Sequence, residues 1–532
     1  MIRRKMIIKT ILITFAIVLI SGCVGKGTGE SGKLNVVFFL VDDMGWTDVG
    51  CYGSSFYETP HIDQFAKEGV RFTNAYAACH VCSPSRASIL TGKYPATLHF
   101  TDWLPGRRDF PFQKLLNAEI NQHLPYGEIT LAEVLREKGY STAIIGKWHL
   151  GMDGPLEHGF DKQIPEGWNP CCPPGTGYHA PWDLEGLENI EGDYLTDRLT
   201  DEALVYLEQN RDNPFFLYLS HFAVHDPIEG RPDVVKKYDE KLKHTDTPKG
   251  DPYFLEGNPD DPEVPAMKEM KKPVKEPEYA GHRVFPDNMV KIKQFQDNTQ
   301  FAGMVESVDE SLGRVLSKLE ELNLNENTIV IFFSDNGGMS AANFWDPTRV
   351  IPEDGLDKAY ATSNLPLRGG KGWLYEGGIR EPMIIKWSGE GKAGTTCDVP
   401  VISNDFFPTI LDMLGFPIPR DVDHDGESIV PLLKGEDNLE REAIYWHFPH
   451  YSNHGKQSPG GAIRCGDYKL LEYFENNTVQ LFNLKTDIGE QHDLSGSEVE
   501  KVAELKSMLQ QWREEINAQM MLPNPDYLPG IH

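Results

Sequence analysis

A chain of 532 residues is long enough to bury a large core, and it predicts one large domain with a smaller one rather than a single compact module. Hydrophobic residues make up 40% and charged residues 25% of the chain, which is typical of a folded globular protein and excludes extensive disorder. The formal net charge of −29 argues against nucleic acid as a partner, and an anionic substrate would therefore need a local cationic pocket.

The N-terminus has the order of regions that is typical of an export signal. Three basic residues precede an apolar run from residue 6 to residue 20, which is short for a membrane span. The run ends in Ile-Ser-Gly-Cys23, which resembles a bacterial lipobox. We therefore expect a signal peptide over residues 1–22, a lipid on Cys23 and a flexible tether over residues 23–33, so that the protein is exported and anchored to a membrane of the bacterial cell envelope. An ordinary cleaved signal or a short anchor would fit the same residues.

Four apolar segments, beginning at residues 34, 142, 215 and 329, predict strands that are buried on both faces. The polar residues that follow them are, in chain order, Asp42 and Asp43, Lys147 and His149, His221 and His225, and Asp335 and Asn336. Because ligands bind beyond the carboxyl ends of parallel strands in an open α/β sheet, we expect these side chains to line one crevice. Turn chemistry could explain any one of these clusters, but hardly all four.

Helical apolar spacing recurs between the strands, over residues 61–68, 129–137, 195–208 and 296–322. The alternation predicts an α/β fold in which a large, mostly parallel sheet is sandwiched by helices. Residues 227–287 interrupt the alternation with many Pro, Lys, Asp and Glu residues. We expect a solvated surface excursion there, or a rim of the site if the segment is functional.

The alternation of predicted strands and helices ends towards the C-terminus. Residues 462–473 and 479–484 predict two strands that are joined across a Glu-Asn-Asn turn, and residues 498–516 predict a helix. We therefore expect a catalytic domain over residues 34–435 and a smaller C-terminal domain over residues 436–532.

The most informative stretch is Cys82-Ser-Pro-Ser-Arg86, followed by Leu90-Thr-Gly92. Pro84 suits the first position of a helix with Ser83 as its cap, which would place Cys82 beside unpaired backbone N–H groups. That end of a helix attracts anions, lowers the pKa of a thiol and stabilises charge on a transferring group. A capped helix that carries a buried cysteine is the alternative interpretation.

This stretch matches the sulfatase signature C-x-P-S-R-x-x-x-L-x-G at every fixed position, so the chain resembles the type I, formylglycine-dependent sulfatases of the alkaline phosphatase-like superfamily. A later pair, Gly-Gly-Lys371 and Glu376-Gly-Gly-Ile-Arg380, is also similar to that family. The resemblance implies hydrolysis of sulfate esters and a small C-terminal antiparallel sheet with a helix. It also implies that a formylglycine-generating or anaerobic sulfatase-maturating enzyme oxidises Cys82 to 3-oxoalanine (formylglycine), an aldehyde whose hydrate is the nucleophile.

The resemblance further implies a catalytic set, which consists of Cys82, Arg86, Lys147, His149, His225 and Lys371. Arg86 would stabilise residue 82, and the two lysines would hold the sulfate oxygens and neutralise charge in the transition state. His149 would act as the base of the second step, and His225 would protonate the leaving oxygen.

Hard oxygen ligands select Ca2+ or Mg2+ over zinc or copper. Four of the polar residues at the strand ends supply such oxygens, namely Asp42, Asp43, Asp335 and Asn336. The resemblance adds Cys82, in its hydrated aldehyde form, as a fifth ligand, and it implies one Ca2+ ion.

Trp103, Arg107 and Arg108 follow the signature and predict contacts with a sugar, because an aromatic face and guanidinium groups suit a sugar ring and its anionic groups. His450, which lies in a cluster with His447 and His454, is a further candidate. By resemblance, we expect a sulfated carbohydrate substrate, such as oligosaccharides of algal ulvan, carrageenan or fucoidan, or of glycosaminoglycans.

Two other functions stay open. A phosphate or phosphonate ester hydrolase of the same superfamily would usually bind two zinc ions with more Asp and His ligands, and a phosphatase of that type would use Ser or Thr. A non-catalytic lipoprotein that binds sulfated glycans would fit if Cys82 were never oxidised. Six cysteines remain besides Cys23 and Cys82; they allow disulfides in an exported protein, but their pairing cannot be read from the sequence.

Overall fold

A computed structural model describes residues 33–167, 171–173, 177–182, 184–188, 190–245, 250–261, 282–283, 289–344, 350–351, 355–454 and 457–529. The predicted signal peptide, Cys23 and the predicted tether up to residue 32 lie outside the described residues. From Leu34 onward the chain forms one compact unit. In the described part of the chain, no helix is both long enough and apolar enough to cross a membrane.

The central element is a sheet that has nine strands within the described residues. They are β1 (Asn35–Val41), β2 (Val70–Tyr76), β3 (Ser141–Gly146), β4 (Lys162–Ile164), β5 (Phe215–Ser220), β6 (Thr328–Ser334), β7 (Arg380–Lys386), β8 (Thr395–Cys397) and β9 (Val401–Ile402). Their order is β8-β2-β7-β6-β1-β5-β3-β4, and β9 also pairs with β2. The strands from β6 to β4 in this order run parallel to their neighbours, whereas β7 is antiparallel to both β6 and β2.

The four strands predicted from the sequence, β1, β3, β5 and β6, are neighbours in the parallel part of the sheet. Val41 at the end of β1 lies opposite Ser334 at the end of β6. Leu40 in the same strand lies opposite Ser220 at the end of β5. Because the strands end nearly level, the polar residues that follow them meet at one edge of the sheet, as predicted.

Helices cover both faces of this sheet. The longer helices of the chain are α1 (Pro60–Glu68), α2 (Cys82–Thr91), α3 (Leu131–Glu137), α4 (Leu195–Gln209), α5 (Pro232–His244), α6 (Thr299–Glu321), α7 (Phe406–Met413) and α8 (Val499–Glu515), and short helices span Leu356–Ala359, Glu376–Ile379 and Val430–Leu433. Of these, α8 packs against the smaller C-terminal sheet and not against the main one. Val37 and Phe39 of β1 share a core with side chains of α1, α4 and α6. Val36 and Phe38 share the opposite core with side chains of α2, α3 and α7. The predicted α/β fold, a mostly parallel sheet sandwiched by helices, is confirmed.

The four predicted helices correspond to α1, α3, α4 and α6, and local capping sets where two of them begin. Thr130 and Glu133 form a capping box, so α3 begins at Leu131. The side chain of Asn298 accepts hydrogen bonds from the backbone N–H groups of the first turn, so α6 begins at Thr299.

The surface excursion predicted over residues 227–287 is wrong for those of its residues that the structure describes. The segment includes α5, in which Tyr238 is fully buried. It also includes the buried strand Tyr253–Gly257, which pairs with Met289–Lys293. The many charged residues hid the amphipathic pattern, because an exposed helix face can carry them without exposing its apolar side.

A smaller antiparallel sheet lies near the C-terminus. It consists of β10 (Ala443–Phe448), β11 (Gly460–Cys465), β12 (Tyr468–Tyr473) and β13 (Val479–Asn483). Two-stranded pairs also join Leu115–Leu116 to Leu522–Pro523, and His282–Arg283 to Val350–Ile351. The single strand predicted over residues 462–473 is wrong, because the chain turns at Gly466, whose φ of +57° favours glycine, and forms the hairpin of β11 and β12. The predicted antiparallel sheet with a helix is confirmed, and the boundary after residue 435 stays a prediction.

A buried ionic cluster connects this smaller sheet to the main sheet. Lys469 on β12 is fully buried, and its Nζ lies 2.9 Å from a carboxylate oxygen of Glu376 and 2.9 Å from one of Glu490. The other carboxylate oxygen of Glu376 accepts a hydrogen bond of 2.8 Å from the hydroxyl of Tyr76 on β2. Because buried charges are costly unless they are paired, this cluster constrains how the two sheets pack.

We expect Lys469→Met to lower the free energy of unfolding by about 3–5 kcal/mol, because Glu490 then has no ion pair among the described residues and only Arg380 still pairs with Glu376. Urea denaturation measures the loss. Lys485→Met is the matched control, since this lysine is 74% exposed, and we expect a change within about 0.5 kcal/mol. Equal effects of the two substitutions would show that the buried cluster does not hold the sheets together.

Candidate functional site

Most of the polar residues at the carboxyl edge of the main sheet converge on one buried cluster. The predicted place of His221 in this crevice is wrong, because its Nε2 lies 2.9 Å from Oγ of Ser311 on α6. One potential ligand atom from each of four residues lies within 4.8 Å of the others, and these residues are Asp42, Asp43, Cys82 and His225. The backbone N–H of Asp43 donates a hydrogen bond of 3.3 Å to Oδ1 of Asp335. Nδ2 of Asn336 donates one of 2.7 Å to Oδ1 of Asp43. The five residues predicted as metal ligands therefore lie together.

This cluster contains buried acceptors that the described protein groups do not satisfy. Oδ1 of Asp42 and Oδ1 of Asn336 are both buried and have no hydrogen-bond partner among the described residues. A buried acceptor without a partner costs about 1–3 kcal/mol, and the neighbouring carboxylates also repel one another. A hard divalent cation would remove both costs by binding these oxygens, so the residues fit Ca2+ or Mg2+.

Helix α2 presents Cys82 to the cluster. The helix begins at Cys82 itself, after the extended residue Val81, and no side chain caps it. The predicted start, with Ser83 as the cap, is therefore two residues too late. Ser83 already belongs to the first turn, and its Oγ accepts a hydrogen bond of 3.2 Å from the backbone N–H of Leu104. Pro84 is tolerated in this turn because the first N–H groups of a helix have no intrahelical partner.

Arg86 is buried one turn further along α2 and links the ends of several strands. Its Nε donates a hydrogen bond of 2.7 Å to Oδ2 of Asp335. Its Nη1 donates to Oγ of Ser220 over 2.6 Å and to the backbone oxygen of Lys147 over 3.1 Å. Arg86 therefore holds a carboxylate of the cluster in a fixed position relative to β3 and β5.

Two lysine ammonium groups flank the same carboxylates. Nζ of Lys147 lies 2.5 Å from Oδ2 of Asp42. Nζ of Lys371 lies 2.7 Å from Oδ2 of Asp43 and 3.8 Å from the sulfur of Cys82. Lys147 is fully buried, whereas Lys371 lines the pocket described below. The positive charge next to Cys82 suits an anionic group bound there.

The cationic neighbours set the protonation of the buried carboxyl groups. Burial acts to raise the pKa of Asp42, but Lys147, His225 and Arg86 outweigh it and hold that pKa below its usual range. Burial and the charge of Asp42 raise the pKa of Asp335 to about 6, although Arg86 acts in the opposite direction. The cluster thus combines buried carboxylates with cationic side chains, and a bound cation would further stabilise the ionised carboxylates.

His225 and its neighbour Asp226 form a pair at the side of the cluster. Nδ1 of His225 lies 2.8 Å from Oδ1 of Asp226, and Nε2 lies 3.7 Å from Oδ2 of Asp43. Burial and Lys371 act to lower the pKa of His225, but the carboxylates of Asp43 and Asp226 outweigh them and raise it well above the usual range. His225 is thus held in its protonated form.

His149 has the opposite electrostatic environment. Burial and the charge of Lys147 lower its pKa well below the usual range, so this imidazole is held neutral. Its Nε2 lies 3.1 Å from the backbone oxygen of Leu104, and its Nδ1 is buried without a hydrogen-bond partner among the described residues. Two titratable groups whose pKa values are displaced in opposite directions suit an acid and a base in one reaction.

A pocket with a cavity volume of about 120 Å³ opens beside Cys82. Five of the predicted site residues line it, namely Cys82, Trp103, His149, His225 and Lys371. Phe448, the last residue of β10, and residues 451–454 after it form part of the wall. Arg86 and Lys147 lie beneath the pocket as part of the buried charge cluster.

Three predicted sugar contacts, Arg107, Arg108 and His450, do not line this pocket and stay predictions. The guanidinium of Arg107 lies 5.2 Å from the ring centroid of Phe110, and that of the exposed Arg108 lies 4.8 Å from it. His450 is buried, and its Nε2 lies 2.8 Å from Oγ1 of Thr101. Of the histidine cluster, His454 lines the pocket instead.

Sequence reasoning missed several residues of the pocket wall, among them Asp102, Asp226, Asn343 and the adjacent pair Cys171 and Cys172. Asp226 had a local signal, since it directly follows the predicted acid. The cysteine pair also had one, because two consecutive cysteines are unusual. Asn343 had no comparable signal, because its place in the pocket depends on long-range packing.

Comparisons with known proteins agree with this geometry. Residues 34–416 match the family model described as Sulfatase, and residues 370–519 match that of the N-sulphoglucosamine sulphohydrolase C-terminal region. The N-acetylglucosamine-6-O-sulfatase of Bacteroides thetaiotaomicron is 26% identical over 97% of this chain and 92% of its own length. Human N-acetylgalactosamine-6-sulfatase is 28% identical over 92% of this chain and 88% of its own length.

Solved structures have the same fold. The crystal structure of Ps i-CgsB in complex with k-i-k-neocarrahexaose is similar with a TM-score of 0.65 and 27% sequence identity, over 90% of this chain and 92% of that chain. The family model covers well over half of the sequence, and it includes every strand end that contributes to the buried cluster. The chain therefore belongs to the sulfatase family of the alkaline phosphatase-like superfamily, and it is an enzyme that hydrolyses sulfate esters.

Proposed function

We propose that this sulfatase removes sulfate from sulfated carbohydrates, with Cys82 converted to formylglycine and one Ca2+ ion in the buried cluster. The observation that carries the proposal is the position of Cys82, whose sulfur lies within 4.8 Å of carboxylate oxygens of Asp42 and Asp43 and 3.8 Å from Nζ of Lys371. A maturation enzyme of the formylglycine-generating or anaerobic type would have to oxidise Cys82. The aldehyde, once hydrated, supplies the hydroxyl that attacks sulfur.

Calcium is the proposed metal because the donor set consists of hard oxygens. The ligands would be Asp42, Asp43, Asp335 and Asn336, with the modified residue 82 as the fifth. When bound, the ion supplies a Lewis acid that polarises a sulfate oxygen and favours loss of a proton from the attacking hydroxyl. The buried and unpaired Oδ1 atoms of Asp42 and Asn336 support this assignment.

The lysines and histidines take the remaining roles. Lys371 and Lys147 orient the sulfate group and offset the negative charge that grows on its oxygens. His225, held protonated by its carboxylate neighbours, donates a proton from Nε2 to the leaving oxygen. His149, held neutral, accepts a proton when the product is expelled. Asp226 fixes the ring of His225 through Nδ1.

A carbohydrate substrate is proposed from the relatives and from the pocket. The relatives named above are sulfatases of N-acetylglucosamine and N-acetylgalactosamine, and a similar structure contains a neocarrahexaose. Trp103 and the polar groups of the pocket wall suit a sugar ring. Oligosaccharides of ulvan, carrageenan, fucoidan or glycosaminoglycans are the candidates.

The proposed cellular context is a bacterial cell envelope. We keep the interpretation that residues 1–22 are removed as a signal peptide and that lipid on Cys23 anchors the enzyme to a membrane. Metabolic labelling with a palmitate analogue tests it, because wild-type protein would carry the label and Cys23→Ala would not.

Protein whose Cys82 is fully converted should release sulfate from one family of sulfated oligosaccharides, whereas Cys82→Ala should release none, because it lacks the nucleophile. Ion chromatography measures release across the candidate glycans, with phosphate esters of the same sugars alongside. Cys465→Ala is the matched control, since this half-buried cysteine lies on β11. Turnover of phosphate esters alone would favour a phosphatase, and no turnover at all would favour a glycan-binding protein.

Chelation of Ca2+ should abolish sulfate release and lower the midpoint of thermal unfolding, because the buried carboxylates lose the cation that offsets their charge. Added Ca2+ should restore both and Zn2+ should not. Asp42→Asn should reduce the stabilisation by Ca2+, whereas the exposed control Asp423→Asn should retain it. An unfolding midpoint that is the same with and without Ca2+ would contradict the proposed metal site.

His225→Ala should lower kcat for a sugar sulfate by about 10²- to 10⁴-fold, the usual contribution of a general acid. The loss should be much smaller for 4-nitrophenyl sulfate, because its phenolate leaves without a proton. Asp226→Asn should show the same dependence on the leaving group with a smaller loss. Steady-state kinetics with both esters measure the effect, and equal losses on both would remove His225 from the role of general acid.

A further inference from the structure

The pocket wall contains a disulfide that the proposed mechanism does not use. Cys171 and Cys172 are consecutive residues, and a disulfide bond joins them. Both side chains are half-buried and line the pocket that contains Cys82 and Lys371. They lie outside the cluster of metal ligands and cationic side chains, so the chemistry of sulfate transfer does not explain them.

A stabilising role does not explain this bond either. A disulfide stabilises a protein mainly by closing a loop in the unfolded chain, and the effect grows with the length of that loop. The sequence separation between Cys171 and Cys172 is 1, so their bond links no distant parts of the chain. Its effect is therefore local, on the shape and stiffness of the pocket wall.

The chemistry of the pair differs from that of the neighbouring wall. A disulfide has no N–H or O–H donor, and its sulfur atoms are polarisable and make favourable contacts with apolar groups. The ring that two consecutive bonded cysteines form also leaves no side-chain rotamers to be frozen when a ligand binds. The rest of the pocket wall carries polar side chains, among them Asp102, Asn343 and Asn453, and aromatic ones, namely Trp103, Phe448 and Tyr451. The disulfide thus adds a stiff apolar surface to a pocket that also offers hydrogen-bonding groups.

We propose that the Cys171–Cys172 disulfide is a substrate-binding surface, against which the apolar C–H face of the sulfated sugar ring packs. A sugar ring has C–H groups on its faces and hydroxyl groups at its rim, and it would fit a pocket that offers both apolar surfaces and hydrogen-bonding groups. The disulfide then contributes to binding of the sugar and not to the sulfur chemistry. This inference rests on the proposed carbohydrate substrate, and it adds a specificity determinant to that site.

The bond itself is tested by mass spectrometry of the folded wild-type protein. Trypsin cleaves after Lys162 and after Arg198, and the peptide of residues 163–198 contains no cysteine besides Cys171 and Cys172. After treatment with iodoacetamide under non-reducing conditions, we expect this peptide to carry no alkyl group and to have lost two hydrogens. Alkylation of both cysteines in the folded protein would overturn the proposal.

The binding role is tested with the double variant Cys171→Ser/Cys172→Ser, which removes the apolar ring. The matched control is Cys397→Ser, at a half-buried free cysteine on β8. With the sulfated oligosaccharide that wild-type protein hydrolyses fastest, we expect KM of the double variant to rise about tenfold, a change typical of one lost apolar contact surface. kcat should stay within about twofold. The inhibition constant of inorganic sulfate, which fills only the sulfate end of the pocket, should not change.

Two kinds of result contradict the proposal. KM for the oligosaccharide that equals the wild-type value would show that the disulfide does not contact the sugar. A rise in the inhibition constant of sulfate together with a fall in kcat on 4-nitrophenyl sulfate would show a general disturbance of the site. If the serine variant unfolds, Cys171→Ala/Cys172→Ala provides the same comparison. Failure of wild-type protein to hydrolyse any sulfate ester would instead refute the proposed function, so the two failures are distinguishable.

Discussion

Three carboxylates are buried together beyond the ends of β1 and β6, and positively charged side chains from three other parts of the chain face them. Arg86 comes from α2, Lys147 follows β3, and Lys371 lies in the glycine-rich segment before β7. Because burial of each charge is unfavourable without its partner, the packing of these elements is coupled. In the same cluster, Oδ1 of Asp42 has no hydrogen-bond partner among the described residues and could bind a cation. The ammonium group of Lys371 lies beside residue 82. The stability of this edge of the sheet and its chemistry therefore both depend on the buried carboxylates and their cationic partners.

The pocket divides into a floor and walls of different origin. Strand ends and the first turn of α2 supply the floor, and these are the stiffest parts of an α/β fold. The walls come largely from connecting segments, including residues 451–454 after β10 and the pair Cys171 and Cys172. Connecting segments vary more readily than the sheet, so differences in substrate are expected to reside there. The buried ion pair of Lys469 and Glu376 connects the smaller sheet to the main sheet. It therefore helps to position the part of the pocket wall that follows β10.

The sequence was most informative about the strands of the main sheet and the polar residues that follow them. Continuous apolar runs predicted the parallel core, because strands that are buried on both faces of a sheet carry apolar residues throughout. The polar residues after these runs predicted the buried cluster, because parallel strands end at the same edge of the sheet. The signature around Cys82 predicted the helix, though not its first residue, since a backbone start without a side-chain cap leaves no mark in the sequence. The turn at Gly466 was missed because the residues on both sides have strong strand character. The sequence did not indicate that His454 and not His450 lines the pocket, because neighbours in sequence cannot be separated without knowing which side of the chain faces the pocket.

The central claim is that modified Cys82 performs the chemistry on sulfate esters, and its most direct test relates activity to the extent of modification. Preparations with different fractions of formylglycine at position 82, measured by mass spectrometry of the peptide that contains it, are assayed in saturating Ca2+ with one sulfated oligosaccharide. We expect the rate of sulfate release to be proportional to the converted fraction, with a line through the origin. Substantial release by protein that retains the thiol, or no release by fully converted protein, would contradict it.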